Sequence, residues 1–424
     1  MKIAVIGKGG REDAIAHKIS KSPRVDKLYA IPGNPGTARY AENINIAVDD
    51  FKSILDFVNA EGVDIVVPGP ELPITKGIKD FLEANSKAFV FAPSAKSSFL
   101  EASKIRAKEF MKRNGVPTAD FMSFENYEEA LEYVKRLSNY PIVIKADGLA
   151  EGKGVSIAYT PAEAFSILYE YMVELKFGES SRRVLIEEFL SGVEYSVFVV
   201  TDGEEFVWIG DASDYKRAYD GDKGPNTGGM GSVSPVPFLN EEMRTITREA
   251  VIKPTIDGLK KEGIPYMGFL YFGLIWTSKG PKVLEFNVRL GDPEAQVILP
   301  RLKNDLVDII ISAKEHRLRE VKVEFDDRVA VCVVIASGGY PVHYEKGKVI
   351  HGLNKLSQGV ILYHAGTKEE NGKIYTDGGR VLNLVVLDKD FNSAAERVYS
   401  EIEKIHFENL FYRRDIGSLE RFKI

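Results

Sequence analysis

The stretch IKADGLAEGKGV, residues 144–155, decides how the middle of this chain folds. It resembles a P-loop at first sight, but three residues rather than four separate Gly148 from Gly152, and Lys153 is followed by Gly154 instead of Ser or Thr. The apolar runs on both sides are short and β-branched, which predicts two strands joined by a glycine-rich turn. Such a hairpin can cover a nucleotide, because its N–H groups reach phosphate oxygens where a Cβ would obstruct. An ordinary turn remains the alternative.

A second polar pattern, LEFNVRLGDPEAQ at 284–296, begins on a predicted strand. Because strand side chains alternate, Glu285, Asn287 and Arg289 share one face while the apolar residues from Leu284 onward pack behind them. A carboxylate, an amide oxygen and a guanidinium on one face fit a magnesium–phosphate site. An amphipathic strand with a solvated face explains the alternation equally well, but not the dense run of polar residues that follows it.

The first hundred residues alternate short apolar runs with amphipathic stretches. The runs at 2–6, 27–31, 63–68 and 88–92 read as buried strands, and the apolar spacing in residues 51–62 predicts a helix between two of them. This alternation predicts a doubly wound parallel sheet, whose ligands collect at the carboxyl ends of the strands.

The loop after the first strand, GKGGRE at residues 7–12, opens a helix and is a candidate anion site. It departs from the dinucleotide fingerprint at Glu12, and the second predicted strand ends without the acidic residue that holds an NAD ribose. Two further glycine-bearing loops, 32–37 and 68–71, should reach the same sheet edge. A tight turn without a ligand remains the alternative for the first loop.

Length and composition narrow the class of protein. The 424 residues predict about three domains, and 44% hydrophobic with 28% charged residues excludes a disordered or fibrous chain. The net charge of −6 does not favour nucleic acid as a partner. No apolar run reaches the roughly 18 residues of a membrane span, and the strand-like start leaves no signal peptide. One cysteine, Cys332, forms no intrachain disulfide, so we expect a cytoplasmic protein without a membrane partner.

An anionic ligand must therefore meet local positive charge. Lys145, on the strand that enters the glycine-rich hairpin, can supply it, although a solvated edge lysine is the plainer interpretation. Residues 213–235, SDYKRAYDGDKGPNTGGMGSVSP, add more cations among aspartates and glycines. We expect this run to be a long irregular loop that closes over substrate.

Taken together, these motifs resemble the ATP-grasp ligases, and within them the phosphoribosylamine-glycine ligase family. The resemblance runs nearly end to end through GKGGRE, PGNPGTA, GPELPI, EASK, IKADGLAEGKGV, IEEFLSGVEYS, YKRAYDGDKGPNTGGMG, LEFNVRLGDPEAQ, SGGYP, KGKVIHGL, HAGT, TDGGRVL and YRRDIG. The family usually has Gln-Asp-His-Lys-Arg where this chain has Ser213-Asp214-Tyr215-Lys216-Arg217, and Gly-Pro-Thr where it has Ala92-Pro93-Ser94.

The resemblance implies four parts of α/β and α+β type. They are an N-terminal doubly wound domain on the phosphoribosylamine side (1–116), an ATP-grasp lid (117–191), a large ATP-grasp subdomain with the metal site (192–326) and a C-terminal β-rich domain (327–424). It also implies that ATP lies between the lid and the large subdomain.

The resemblance further implies the site residues. ATP would be bound by Lys104, Lys145, Gly152, Lys153, Gly154, Glu187, Glu188, Leu190 and, at the ribose, Glu194. Mg²⁺ or Mn²⁺ would be held by Glu285 and Asn287, with no acid for a second metal on the preceding strand. Substrate would meet Gly9, Gly10, Asn34, Asp214, Lys216, Arg289, Gly291 and Asp292, of which Arg289, with Lys145, would be catalytic.

The implied reaction joins glycine to 5-phosphoribosylamine through a glycyl phosphate, giving glycinamide ribonucleotide, ADP and phosphate in purine biosynthesis. The chain would act as a monomer on these small molecules. Two alternatives stay open: an ATP-grasp ligase for a different carboxylate and amine, and a nucleotide-binding regulator that keeps the fold without the chemistry.

Overall fold

The structure is a computed structural model that describes residues 1–150 and 154–422. Its strands are β1 (Lys2–Gly7), β2 (Lys27–Pro32), β3 (Glu42–Asn43), β4 (Ile65–Pro68), β5 (Phe89–Val90), β6 (Phe121–Phe124), β7 (Ile142–Ala146), β8 (Val155–Ala158), β9 (Val184–Glu188), β10 (Val193–Thr201), β11 (Phe206–Asp214), β12 (Arg217–Tyr219), β13 (Lys223–Asn226), β14 (Gly231–Ser234), β15 (Gly268–Thr277), β16 (Gly280–Asn287), β17 (Val329–Ser337), β18 (Val360–His364), β19 (Thr367–Glu370), β20 (Lys373–Thr376), β21 (Arg380–Asp388) and β22 (Leu410–Phe411).

The α-helices are α1 (Gly10–Ile19), α2 (Phe51–Glu61), α3 (Glu71–Thr75), α4 (Ile78–Asn85), α5 (Phe99–Ala102), α6 (Lys104–Arg113), α7 (Tyr127–Arg136), α8 (Pro161–Leu168), α9 (Glu241–Thr247), α10 (Lys253–Lys261), α11 (Ala295–Arg301), α12 (Leu306–Lys314) and α13 (Phe391–Ile402). Within the described part of the chain, none of the helices is both long and apolar enough to cross a membrane.

The N-terminal strands form a parallel sheet in the order β3-β2-β1-β4-β5, which confirms the predicted doubly wound domain. Both faces of β1 are buried. Ile3 and Val5 lie in a core with α1, whereas Ala4 and Ile6 lie in a second core with α2. The strand is apolar from Ile3 to Ile6, as expected for a parallel strand covered by helices on both sides.

The predicted glycine-rich hairpin is confirmed as β7 and β8, which pair antiparallel with Lys145 opposite Val155. It belongs to a four-stranded sheet in the order β6-β9-β7-β8. Helices α7 and α8 share one apolar core with this sheet.

The largest sheet follows the path β16-β15-β10-β11-β14-β17-β21-β18, with β22 paired to β17. It begins with the long antiparallel hairpin β15–β16, which contains the strand predicted at the start of the 284–296 pattern. It continues through β14 into β17, where Ser232 lies opposite Cys332, so the C-terminal strands extend the sheet that carries the candidate metal site.

Two segments near the candidate site differ from simple patterns. The helical segment from 99 to 113 divides at Ser103, which leaves helical geometry and caps α6 by accepting a hydrogen bond from the Arg106 N–H. The run at 213–235 is not an irregular loop, because it contains the end of β11, the hairpin β12–β13 and β14. Glycines in that run permit turns with positive φ, as at Gly221 and Gly224.

Candidate active site

Four cationic side chains surround the Glu285 carboxylate at the end of β16. Burial alone would raise the pKa of Glu285, but Lys216, Lys145, Lys104 and Arg289 together hold it below its ordinary value. The four cations arrive from the loop after β11, from β7, from the start of α6 and from the segment after β16. Four cations around one carboxylate leave an excess of positive charge, which suits a further anionic ligand.

Glu285 and Asn287 lie on the same strand two positions apart, and Asn287 is buried. Their partners on β15 are Gly273 and Tyr271, so the neighbouring strand offers no second acid. A bulge interrupts the pairing here, since Gly273 faces Glu285 while the next residue, Leu274, faces Val283. The extra residue, Leu284, is only half-buried and does not join the core, contrary to the simple alternation expected from the sequence.

The bulge in β16 contacts the four-stranded sheet that contains β7. The carbonyl oxygen of Leu284 accepts a hydrogen bond from Lys145 Nζ at 3.2 Å. Lys145 Nζ also lies 3.0 Å from Glu187 Oε2, while Lys108 Nζ lies 3.2 Å from Glu187 Oε1. Burial lowers the pKa of Lys108 to about 8, although the Glu187 carboxylate opposes the change. Glu187 therefore orients Lys145 through its buried side chain.

The start of α6 is held by the residue after β7. Asp147 Oδ1 accepts hydrogen bonds from Ser103 Oγ at 2.8 Å and from the Ile105 N–H at 2.9 Å. Lys104 Nζ donates to the carbonyl oxygen of Gly148 at 2.9 Å, and burial lowers the pKa of Lys104. The helix break at Ser103 thus places Lys104 beside the glycine-rich hairpin.

Arg289 forms ion pairs with two carboxylates that were not among the site residues predicted from the sequence. Its Nη2 lies 2.8 Å from Glu101 Oε1, and its Nε lies 3.3 Å from Glu71 Oε2. Glu101 also accepts the Val288 N–H at 2.8 Å, which fixes backbone and side chain together. Arg289 lowers the pKa of Glu71 to about 2. Both acids lie in the quoted motifs GPELPI and EASK, but nothing in their spacing pointed to Arg289.

Asp214 and Lys216 lie beside this cluster. The Asp214 carboxylate raises the pKa of Lys216 well above its ordinary value, and Lys216 Nζ lies 3.3 Å from Glu194 Oε2. Glu294 is buried nearby, and burial, assisted by the Asp214 charge, raises its pKa to about 7. The Glu294 carboxylate packs closely against the backbone at Gly291, because a Cβ at Gly291 would lie 2.5 Å from Glu294 Oε2.

The three N-terminal loops meet, as expected. Asn34 Nδ2 donates to the Lys8 carbonyl at 2.9 Å, and Glu12 Oε1 lies 2.0 Å from where a Cβ would stand at Gly69. However, Glu12 Oε2 already accepts the Gly9 N–H at 2.7 Å. A Cβ at Gly10 would lie 2.3 Å from Asn383 Nδ2, so this glycine permits close packing against β21.

Asn34 is fully occupied within the protein. Its amide group donates to the carbonyl oxygens of Lys8 and His364, each at 2.9 Å. Its oxygen accepts from the N–H groups of Gly36 at 2.7 Å and Thr37 at 3.0 Å. All four hydrogen-bonding positions of the side chain are used, so Asn34 shapes the loop.

The remaining predicted residues are spread around this centre. Asp292 accepts a hydrogen bond from Gln296 and lies 3.4 Å from Arg380 Nη2. At the end of β9, the exposed Glu188 side chain pairs with Lys282 at 2.8 Å, and Leu190 follows in the loop. At Gly154, a Cβ would lie 2.7 Å from the Ala150 Cβ. The predicted ATP contacts at Gly152 and Lys153 lie outside the described residues.

Comparison with known proteins places the chain in a family. Models of the phosphoribosylglycinamide synthetase N domain, ATP-grasp (A) domain and C domain match residues 1–101, 102–295 and 330–419. The phosphoribosylamine--glycine ligase of Caldanaerobacter subterraneus subsp. tengcongensis is 47% identical over 418 residues, covering 99% of this chain and 100% of that protein.

Solved structures agree. The crystal structure of phosphoribosylamine--glycine ligase from Thermotoga maritima superimposes with a TM-score of 0.84 at 37% identity, covering 98% of this chain and 100% of that one. The biotin carboxylase domain of Hydrogenobacter thermophilus 2-oxoglutarate carboxylase, at 20% identity, shares the fold with a TM-score of 0.73, covering 97% of this chain and 91% of that one. The chain therefore belongs to the phosphoribosylglycinamide synthetase family, whose N, ATP-grasp and C domains it carries in full order.

Proposed function

We propose that this protein is an ATP-dependent ligase that joins glycine to 5-phosphoribosylamine, giving glycinamide ribonucleotide, ADP and phosphate in purine biosynthesis. Full-length similarity to phosphoribosylamine--glycine ligases supports the reaction. The structural observation that carries it is the convergence of Lys104, Lys145, Lys216 and Arg289 on the ionised Glu285. Such a group of cations suits the β- and γ-phosphates of ATP.

The residues at this centre fit one Mg²⁺. An ionised carboxylate at Glu285 and an amide oxygen at Asn287, on one strand, are hard oxygen ligands, and Mg²⁺ in phosphoryl-transfer sites uses one or two such ligands plus phosphate oxygens. Within the described residues no three His, Cys, Asp or Glu side chains gather as a metal site, so the phosphates would complete the coordination. When bound, the metal would neutralise charge on the transferring phosphoryl group; Mn²⁺ is the alternative ion.

The chain's own residues then position and shield the reactants. A carboxylate does not acylate an amine unaided, so the γ-phosphoryl group passes to glycine and the resulting glycyl phosphate is attacked by the amine. Arg289, held rigidly by Glu71 and Glu101, is placed to bind the glycine carboxylate or the transferring phosphoryl group. Lys145, held by Glu187, and Lys104 would bind the phosphates of ATP.

We assign the remaining ATP contacts to the lid. Gly152 to Gly154, of which the structure describes only Gly154, would cover the phosphates, and the backbone at 187–190 would pair with adenine. Glu194, which is exposed at the start of β10, would accept hydrogen bonds from the ribose hydroxyls.

We place 5-phosphoribosylamine at the edge where the three N-terminal loops meet Gly291 and Asp292. In the described structure Gly9 already pairs with Glu12, and Asn34 with its own loop, so both support this pocket's shape. We also propose the division 1–116, 117–191, 192–326 and 327–424, and a cytoplasmic monomer as the working unit.

The decisive experiment measures ADP release with Mg-ATP and glycine, with and without 5-phosphoribosylamine, and identifies the product by mass. Release that needs both co-substrates supports the proposal. Release with a different amino acid or amine would favour the other ligase, and ATP binding without turnover would favour the regulator.

A variant tests the centre itself. Glu285→Gln should lower kcat roughly 100- to 1000-fold, because the metal loses its charged ligand. Glu249→Gln, an exposed carboxylate that lies 3.8 Å from Lys253, is the control and should match the parent protein. Near-normal turnover in Glu285→Gln would contradict the metal assignment.

A further inference from the structure

The segment 413–421, which we name the C-terminal strap, reaches from the C-terminal part of the chain to the hairpin β12–β13. At its start lies Arg413, whose side chain is almost completely buried. Arg413 Nη1 donates to Asp222 Oδ1 at 2.9 Å and to the Arg217 carbonyl at 3.0 Å. Its Nε and Nη2 donate to the two oxygens of Asp415 at 2.8 and 2.6 Å. One guanidinium therefore joins the strap to both ends of the hairpin.

Backbone contacts repeat this attachment. The Gly221 N–H donates to Asp415 Oδ2 at 2.9 Å, and the Arg414 N–H donates to Asp220 Oδ1 at 2.8 Å. The turn at 220–222 includes Asp222, whose φ of 54° lies in the left-handed region. An aspartate tolerates this conformation at modest cost, and its ion pair with Arg413 offsets that cost.

The strap also grips the residue next to Lys216. The buried ring of Tyr215 lies under two guanidinium groups, those of Arg413 at 5.1 Å and Arg421 at 4.2 Å. Its hydroxyl accepts the Gly417 N–H at 3.1 Å. The ring and the hydroxyl of Tyr215 therefore both contact the strap.

The Lys216 side chain makes its contact away from the strap. Tyr215 meets the strap, while Lys216 Nζ lies 3.3 Å from Glu194 and its charge acts on Glu285. Arg421 Nη1 additionally donates to the Asp214 carbonyl at 3.1 Å. The carbonyl oxygens of Asp214 and Arg217, one on each side of Lys216, thus accept hydrogen bonds from the strap arginines Arg421 and Arg413.

We propose that Arg413 is a positioning residue, which holds the hairpin and so places Lys216 against the Glu285 centre. This inference rests on the proposed function, because Lys216 is there one of the four cations placed at the phosphates of ATP. Thr227 already holds Lys216 from the end of the hairpin, since the Lys216 carbonyl oxygen accepts hydrogen bonds from the Thr227 N–H at 2.7 Å and from its Oγ1 at 2.9 Å. Arg413 adds the attachment of the hairpin to the C-terminal strap.

A double-mutant cycle on the full chain tests it, with Arg413→Ala, Lys216→Ala and the double variant compared in kcat and KM for ADP release. If Arg413 acts through Lys216, Arg413→Ala lowers kcat/KM roughly 10- to 100-fold, and the double variant stays within about threefold of Lys216→Ala alone. A purely structural role would make the two losses multiply, and that result would overturn the inference. A normal rate in Lys216→Ala would also overturn it.

The chain offers a matched control in Arg414→Ala, since Arg414 is exposed and contributes its backbone N–H to the hairpin. This variant should retain the parent rate; a loss equal to that of Arg413→Ala would overturn the assignment to Arg413. If Arg413→Ala does not fold, the same cycle is run with Asp222→Asn, which weakens only the hairpin side of the contact. An inactive parent protein would reject the proposed function together with the inference, whereas an active parent with multiplying losses rejects the inference alone.

Discussion

Glu187→Gln, with Glu188→Gln beside it, is the most direct test of the electrostatics of the lid. Both glutamates end β9 and both pair with lysine near 3 Å, but Glu187 is 3% exposed, whereas the Glu188 side chain is 42% exposed. The same chemical change is therefore made twice, one position apart, in two different environments.

The expected magnitudes follow from burial. Glu187 is the shared partner of Lys108 and Lys145, and an amide oxygen can accept from only one of them while its NH₂ group faces the other cation. Removing one member of a buried ion pair costs about 3–5 kcal/mol, whereas an exposed pair contributes about 0.2–1 kcal/mol. The difference of at least about 2 kcal/mol corresponds to roughly 30-fold in a local opening equilibrium.

Hydrogen exchange of the amides in β7 and β9 measures this opening directly, and it avoids the need for two-state unfolding of a multidomain chain. At pH 7 these amides should exchange about 30-fold faster in Glu187→Gln than in Glu188→Gln, and ATP should bind more weakly to the former. The difference should shrink at pH 9, because burial lowers the pKa of Lys108 to about 8 even where the Glu187 carboxylate opposes the change, so Lys108 is mostly neutral at that pH with or without this carboxylate. Equal exchange in the two variants would refute the reasoning.

Two further substitutions test the N-terminal domain. Burial raises the pKa of Asp13 to about 7, so the unfolded chain loses the Asp13 proton at a lower pH than the folded protein does, and the free energy of unfolding falls as pH rises from about 4 to 7. In urea denaturation, Asp13→Asn should therefore show a flatter dependence of the free energy of unfolding on pH over that window. Parallel pH profiles for the variant and the parent protein would contradict this. Gly69→Ala would place a Cβ 2.0 Å from the buried Glu12 carboxylate, so we expect a loss of about 1–3 kcal/mol from overcrowding, and an unchanged denaturation midpoint would show that Glu12 can move aside.

The sequence predicted much of the local structure because local structure depends on local patterns. The helix α2 begins at Phe51 and ends before Gly62, which adopts a φ of 64°, as its apolar spacing and terminal glycine indicate. The two-residue alternation placed Glu285 and Asn287 on one strand. The pattern failed at Leu284, because a bulge arises from the fit between two paired strands and leaves no signal in one of them.

Asn34 shows that a partner distant in sequence decides what a candidate residue contacts. The family resemblance implies a substrate role for Asn34 in PGNPGTA, and that role stays a prediction. In the structure its amide contacts the Lys8 and His364 carbonyls, and the latter lies on β18, far away along the chain. No local pattern could show that this partner fills the amide.

The sequence by itself determined which chemical groups this protein has and their order along the chain: a glycine-rich hairpin, a carboxylate and amide two positions apart, and an arginine after them. Only the tertiary structure decided which charges meet. In the tertiary structure Arg289 forms ion pairs with Glu71 and Glu101, and Glu187 forms ion pairs with two lysines. The tertiary structure also pairs β14 with β17 in one sheet. The physical reason is that a charge interaction depends on distance and burial, and neither exists until distant segments pack together.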